Sequence, residues 1–309
     1  MNLSAPVSPT PDSGPSQTNT TKLLQLPLTL TDQEISETSR LLRDVWPQAT
    51  HLTPEYLRWQ YVANPIGKAI GYNAWDGTHL VGHYATIPVR ALLFGEEKPG
   101  LLSLNTAVHK EYRGRDLFRR LALQTFDEAK AAGREFVVGV ANQISTPLFK
   151  RYLKFKIIGP LQVKLSLSSV SLNLQKSLYN YYPVWDDELI EWRLQRPHTS
   201  YYTKKYFPGS PSSNMTVWAK TEQYGIHAQL GILPNNPALK AARILLTNPL
   251  KLWIGYGKIR SSFGSLASYN IPDKWKPSPL NFIFKELKVE TRDLDPENIL
   301  FQLADFDAY

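Results

Sequence analysis

The chain has 309 residues, 42% of them hydrophobic and none of them cysteine; it therefore holds enough apolar mass for a packed core and, at about 150 residues per domain, length for two domains. This excludes wholesale disorder, a disulfide framework, a thiolate metal site and a cysteine nucleophile, and it fits a reducing, cytoplasmic compartment. A formal net charge of +8 implies affinity for anions, either phosphorylated small molecules or nucleic acid, or simply a soluble basic surface.

Residues 1–21 read as a disordered tail: eleven of the first twenty are Pro, Ser or Thr, and they lack the basic and apolar regions of a leader. No run of 18 apolar residues occurs, so no membrane span is expected. Thr31 or Asp32 is placed to cap a helix running to about Arg43, and a second helix is expected over Pro54–Val62, stopped at Asn64-Pro65. Ile70–Trp75 and Leu80–Phe94 read as strands joined by the turn Asp76-Gly77. Leu101–Val108 reads as another strand, with Leu102, Leu104, Thr106 and Val108 sharing a face. After a loop, Leu117–Ala132 carries a helical stripe of Phe118, Leu121, Ala122, Phe126 and Ala129, stopped at Gly133. Phe136–Ala141 is an apolar strand expected to be buried on both faces. Thr146-Pro147 reads as a cap and first turn of a helix carrying Leu148, Phe149, Tyr152 and Leu153, and Gln162–Leu167 returns as a strand.

The second half echoes the first. Glu55-Tyr-Leu-Arg-Trp59, ending at Pro65, resembles Glu188-Leu-Ile-Glu-Trp192, ending at Pro197, and hairpin-like stretches Tyr72–Pro88 and Thr216–Pro234 follow. The expected fold class is a mixed α/β, mostly antiparallel sheet flanked by helices, duplicated as two tandem domains over 22–167 and 170–309.

The chemistry lies in 101–159. A buried strand runs into Tyr112-Arg-Gly-Arg-Asp-Leu-Phe-Arg-Arg120, where a helix starts. The first N–H groups of a helix have no internal partner and, with the helix dipole, attract anions. Gly114 lets the backbone turn closely, and four arginines surround the turn. The alternatives for this stretch are a solvated helix start and a nucleic-acid patch.

This segment resembles motif A of the GNAT acetyltransferase superfamily: Arg or Gln, two residues, Gly, one residue, then Gly or Ala, opening a helix that holds the pyrophosphate of acetyl-CoA. Arg113 matches the lead position; Asp116 and Phe118 stand where the two small residues belong. Downstream, Asn142-Gln-Ile-Ser145-Thr-Pro147-Leu-Phe149 and Leu153-Lys-Phe155 resemble the family's next strand-to-helix segment, with Lys154 in place of Gly. The resemblance implies that Thr106, Ala107 and Val108 pair with pantetheine and that Arg113, Gly114, Arg115, Asp116, Leu117 and Phe118 hold the pyrophosphate. Asn142 and Ser145 would line a slot between splayed strands. The family's tyrosine acid maps to Phe149, which leaves Tyr152, one turn on, as its substitute.

Asn105 is a candidate substrate contact, or caps a local bulge. Asn142 is a candidate catalytic residue or a turn residue. His83 and His109 would assist deprotonation of an amine, or be core or surface side chains. Tyr84 and Trp75 would stack on a ligand or fill the core, and Glu111 reads as a solvated acid. No metal is expected. The implied activity is direct attack of a primary amine, from an amino sugar or a nucleotide-linked amino sugar, on acetyl-CoA. The other classes are an aminoacyl-tRNA-dependent transferase of similar tandem fold and a non-catalytic acyl-CoA-binding module. The second half lacks an equivalent loop, since Gly255-Tyr-Gly257 is isolated. Lys276–Asn281 and Asp305-Phe-Asp307 loosely resemble the tails of two-domain GNAT-like proteins of amino-sugar and polysaccharide pathways.

Overall fold

The computed structural model describes residues 23–205, 214–221, 223–236, 250–260, 268–272 and 278–306. The expected tail over 1–21, and residues 276, 277 and 307 of the tail-like motifs, lie outside these.

Helix α1 (Asp32–Val45) begins where Thr31, in extended backbone, accepts a hydrogen bond from the Glu34 N–H. Helix α2 (Pro54–Tyr61) begins in the same way at Thr53, with Pro54 in its first turn; proline has no N–H to lose there. The first sheet has the order β1 (Leu24–Pro27), β2 (Ile70–Asp76), β3 (His79–Leu93), β4 (Glu96–Val108), β5 (Phe136–Ala141), β14 (Asn281–Glu286) and β6 (Lys156–Pro160), and β8 (Tyr181–Pro183) pairs with the far end of β3. Only the β4–β5 pair is parallel in this path. Helix α3 (Leu117–Ala131) packs Leu121, Ala122, Phe126 and Ala129 on the face that presents Leu101 and Val137. Ile35, Leu42 and Leu57 of α1 and α2 cover the opposite face, with Leu102 and Val138. That two-sided cover is why β5 is apolar throughout.

One expectation about β4 fails. Leu102 and Leu104 share the α1–α2 face, but the next residue on that face is Ala107, and Val108 points to the α3 side. The cause is a bulge: pairing with β3 slips between His83 and Ala85, and Asn105 adopts a left-handed φ of 49°. An extra residue in one strand reverses the alternation beyond it. A second correction concerns the helix α4 (Thr146–Leu153), whose cap position is Ser145 rather than Thr146.

The second sheet runs β13 (Ser268–Asn270), β7 (Gln162–Ser166), β12 (Leu250–Tyr256), β11 (Ile226–Pro234), β10 (Asn214–Lys220) and β9 (Tyr201–Lys205), with β15 (Phe301–Gln302) on β12. It repeats the first sheet's pattern. In each, three antiparallel strands lead to one parallel pair, β4–β5 or β11–β12. The strand beyond that pair comes from the other half of the chain: β14 lies on β5, and β7 lies on β12. The bulge recurs as well, since pairing of β10 with β11 slips between Val217 and Trp218 and leaves Leu230 as the extra residue.

Helix α5 (Asp187–Leu194) meets α2 where the two halves touch. Trp59 and Trp192 stack at 4.7 Å between ring centroids and 14° between planes. Each indole N–H donates to the other's backbone carbonyl, at 2.8 and 2.9 Å. The Glu-x-x-x-Trp echo in the sequence is thus a near-symmetric pair at the junction.

Candidate active site

The parallel ladder between β4 and β5 runs from Gly100↔Phe136 to Ser103↔Gly139 and ends there, although β4 continues to Val108 and β5 to Ala141. The two strands therefore part at Leu104, and among the described residues the edge of β4 that carries Asn105, Thr106, Ala107 and Val108 has no strand partner on the β5 side. Ala107 and Val108 remain anchored from behind, paired with His83 and Gly82 of β3.

At the end of β4 the chain turns through Lys110–Tyr112 into the loop before α3. Gly114 has φ +78°, and a Cβ placed there would meet nothing within 4 Å. Asp116 occupies the cap position of α3 with φ 57° and makes no capping hydrogen bond. Among the described residues, the backbone N–H groups from Gly114 to Arg119 have no protein acceptor; the helical ladder begins with Arg120 donating to the Asp116 carbonyl at 3.1 Å. A row of unsatisfied N–H groups at the positive end of a 15-residue helix forms an anion cradle. Leu117 is buried and pins the helix start, whereas Arg113, Arg115, Arg119 and Arg120 are exposed around it.

The loop is braced. Tyr112 donates to Asp76 at 2.6 Å, and the Arg115 guanidinium lies 4.8 Å over the Tyr112 ring. The Arg113 Nε donates to the Val108 carbonyl at 3.3 Å. Behind the loop, the Phe118 ring meets Tyr84 at 6.1 Å and Phe149 at 5.4 Å, and Phe149 meets Phe155 at 5.1 Å. Phe149 is therefore a core side chain, and bulky Phe118 is accommodated because it fills the gap between α3 and α4. Tyr84 is core too: it is buried, with its hydroxyl 2.8 Å from the Ser103 Oγ, and Trp75 packs against the first core. Glu111 is exposed, as expected of a loop acid.

Asp116 and Arg119 form an ion pair at 3.1 Å with both side chains about half exposed, a geometry worth little in water. The Asp116 carboxylate nonetheless sits beside the cradle and occupies one of its cations, and its left-handed backbone suits glycine better. With the acetyl-CoA pyrophosphate that the family resemblance implies in the cradle, Asp116→Gly should therefore tighten its binding by roughly 1–3 kcal/mol at low salt, with the gain shrinking as salt rises. Calorimetry at two ionic strengths checks this; weaker binding by the variant at low salt contradicts it.

Asn142 and Ser145, expected to line the slot, build the turn between β5 and α4. The Asn142 Oδ1 accepts from the N–H of Ile144 and Ser145 at 3.0 and 2.9 Å and from the Ser145 hydroxyl at 3.0 Å. The Ser145 Oγ in turn accepts from the Asn142 N–H at 3.0 Å. These two residues lock the start of α4, so the Asn142 oxygen is already committed to the turn. The far half of the chain supports the same turn: Ser278 accepts from the Gln143 N–H at 3.2 Å, and Asn281 donates to Thr146 at 3.0 Å. Tyr152 lies on the exposed side of α4 under the Arg151 guanidinium, whereas Phe149 and Leu153 take the inward positions.

Asn105 sits at the bulge where β4 leaves β5. Its Nδ2 donates to the Gln60 Oε1 at 2.6 Å and to the Tyr61 hydroxyl at 2.9 Å, both on α2. Sequence reasoning missed Gln60 and Tyr61 because helix spacing marks them only as part of a buried face. His83 lies behind Tyr61, fully buried, and burial pushes its imidazole down to about 3. It is neutral and out of reach of an incoming amine. His109 borders the loop with its ring 5.9 Å from Tyr112 and its Nδ1 buried without a partner. In the second half, Gly255 is a packing glycine: a Cβ there would lie 2.1 Å from the Phe301 carbonyl. Among the described residues no group of three His, Asp or Glu is arranged to hold a metal, and no helix is long and apolar enough to cross a membrane.

Residues 28–152 match the family model described as an acetyltransferase (GNAT) domain. No curated protein matches the chain. Among solved structures, the chain resembles a GCN5-related N-acetyltransferase from Anabaena variabilis, with a TM-score of 0.60 and 10% identity over 86% of this chain and 73% of that one. A conserved protein from Enterococcus faecalis described as a probable N-acyltransferase gives 0.59 and 11%, over 86% and 73%. A GCN5-related N-acetyltransferase from Kribbella flavida gives 0.55 and 12%, over 85% and 72%. Residues 28–152 thus resemble an acetyltransferase domain of the GNAT type, and the chain shares its two-sheet fold with these structures.

Proposed function

We propose that the protein transfers an acetyl group from acetyl-CoA to a primary amine of a small molecule by direct attack. The observation that carries this reading is the row of unpartnered N–H groups from Gly114 to Arg119, ringed by arginines and placed at the mouth of the gap between β4 and β5. The cradle suits a pyrophosphate, and the open backbone edge at Thr106–Val108 suits the amides of pantetheine. The thioester would then lie near Asn105, where the strands part. Alignment of amine and thioester supplies several kcal/mol of the barrier reduction, and a β4 N–H facing the gap polarises the carbonyl. No protein nucleophile is needed, consistent with the absence of cysteine.

Phe149 is in the core, so no tyrosine acid stands at the position the family resemblance points to. Tyr152 on the exposed flank is the one phenol on α4, and water serves the departing thiolate otherwise. The second half, with the same strand pattern and a leucine at its bulge, is read as a degenerate copy that supplies β14 and the Ser278 and Asn281 supports rather than a second cofactor site. An amino sugar, free or nucleotide-linked, is the acceptor class favoured here. A panel of amino sugars, polyamines and aminoacyl-tRNA, with thiol release from acetyl-CoA as readout, tests this. Thiol release with an amino sugar supports it; dependence on charged tRNA, or binding of acetyl-CoA with no transfer to any amine, overturns it.

A further inference from the structure

Asn105 is the outer end of a buried chain of polar side chains that runs across the first sheet. Its Nδ2 meets the Tyr61 hydroxyl at 2.9 Å. The Tyr61 hydroxyl lies 3.0 Å from the His83 Nε2. The His83 Nδ1 lies 2.7 Å from the Asn73 Oδ1, and the Asn73 Nδ2 donates to the Glu34 Oε1 at 2.6 Å. Tyr61, His83, Asn73 and Glu34 are all buried. The other oxygen of Glu34 accepts from the backbone N–H of Thr29 and Leu30, at 2.7 and 2.6 Å, and from the Thr29 hydroxyl.

The direction of every bond follows from that last residue. Two backbone N–H groups can only donate, so they fix one carboxylate oxygen, and the other is left to accept from Asn73. The Asn73 amide must then turn its NH2 to Glu34 and its oxygen to His83. His83, neutral in its dry site, must carry its proton on Nδ1 and accept at Nε2. Tyr61 therefore donates to His83 and accepts from Asn105. The Asn105 NH2 is held inward, with the Gln60 oxygen accepting from it as well, and the Asn105 Oδ1 is left facing away without a protein donor among the described residues.

We propose that Glu34 is a positioning residue that acts through Asn73, His83 and Tyr61 to present the Asn105 Oδ1 as an acceptor for an N–H of the attacking amine. The inference rests on the acetyltransferase reading above. An oxygen at that position accepts an amine N–H, leaves the lone pair free for the thioester carbon and favours the positive charge that develops on nitrogen. An NH2 there would instead donate to the lone pair and occupy the nucleophile. The chain does not carry the proton away, because two carboxamides interrupt it, and a carboxamide has no proton to pass on without leaving its amide form.

Glu34→Gln reverses the chain without changing its shape. The oxygen of the introduced carboxamide stays on Thr29 and Leu30, so its NH2 faces Asn73. Asn73 then flips, His83 moves its proton to Nε2, and Tyr61 donates to Asn105, which must turn its NH2 outward while Gln60 turns its own NH2 to the Asn105 oxygen and accepts from the Tyr56 hydroxyl. The double variant Glu34→Gln/Asn73→Asp restores the original direction, since the introduced carboxylate accepts both from the new carboxamide on α1 and from His83. The test is nitrogen-15 NMR of the His83 ring in the full chain, together with steady-state kinetics. The expected result is an Nδ1–H tautomer in the wild type and in the double variant, and an Nε2–H tautomer in Glu34→Gln. Glu34→Gln should also lose at least tenfold in kcat with the KM for acetyl-CoA within twofold, and the double variant should recover most of that loss. Asn73→Leu, which cuts the chain but leaves Glu34 its backbone partners, should give mixed tautomers and a similar loss in kcat. An unchanged tautomer in Glu34→Gln, or a reversed tautomer with an unchanged kcat, overturns the proposal. A wild type that transfers no acetyl group overturns the acetyltransferase reading instead, and the tautomer measurement then decides alone whether Glu34 sets the direction of the chain.

Discussion

Removing Arg113 and Arg115 together, as Arg113→Ala/Arg115→Ala, should weaken acetyl-CoA binding by about 1.5–3 kcal/mol for each charge-assisted bond lost, which is roughly 10²–10⁴ in affinity for the pair. Both side chains are exposed, so the folded state gives up little: one 3.3 Å bond to the Val108 carbonyl and one stack on Tyr112. The loss should therefore appear in the affinity for the phosphorylated cofactor and hardly in the unfolding midpoint. It should also shrink as salt rises, because exposed charges are screened within about 10 Å at 0.1 M. Calorimetry with acetyl-CoA at low and high salt measures this, and unchanged affinity in the double variant would remove the arginines from the cofactor site.

Trp192→Ala should cost about 3–5 kcal/mol of stability, the range for truncating a large buried aromatic, out of the roughly 5–15 kcal/mol typical of a folded domain. The residue loses its stack on Trp59, and two indole-to-carbonyl hydrogen bonds are disturbed with it. Trp192→Phe keeps a ring but not the N–H donor, and should cost about 1–3 kcal/mol. Urea unfolding followed by fluorescence and by circular dichroism distinguishes the cases. Because β7 and β14 cross between the halves, both signals should shift together; separate transitions for the two halves would contradict the interlocked fold. Gln60 and Tyr61 follow Trp59 on α2 and hold Asn105, so loosening this junction should also disturb amine transfer more than acetyl-CoA affinity.

Much of this arrangement is legible in the sequence, for identifiable reasons. The cap at Thr31, the helix start at Pro54, the Asp76-Gly77 turn and the apolar run Phe136–Ala141 are local signals, and the helices and strands they bound lie within a few residues of expectation. The Gly114 loop is readable because a strand, a glycine turn and a helix start are contiguous. What escapes is what depends on distant pairing. The bulge at Asn105 is one of two readings the sequence leaves open, since asparagine in an apolar strand reads equally as a substrate contact, and only the β3 pairing decides between them. β14 lies far along the chain from β5 and β6, between which it pairs. Glu34 looks like an ordinary first-turn acid of α1; only the sheet brings it to Asn73, and only the β3 register brings His83 to Tyr61. The roles of Asn142 and Tyr152 differ in kind. The sequence marks them through a family pattern, whereas the local geometry commits the Asn142 oxygen to the turn and leaves Tyr152 on the surface.

Cofactor binding in this scheme depends on the N–H groups at the start of α3, and a titration of the amide-labelled full chain with acetyl-CoA, followed by two-dimensional NMR, addresses them directly. The largest amide shifts should fall on Gly114–Arg119, with smaller ones at Thr106–Val108, and adenosine bisphosphate alone should reproduce the first set but not the second. Saturating shifts centred on β11 and β12 of the second sheet, or binding that leaves Gly114–Arg119 unmoved, would contradict it.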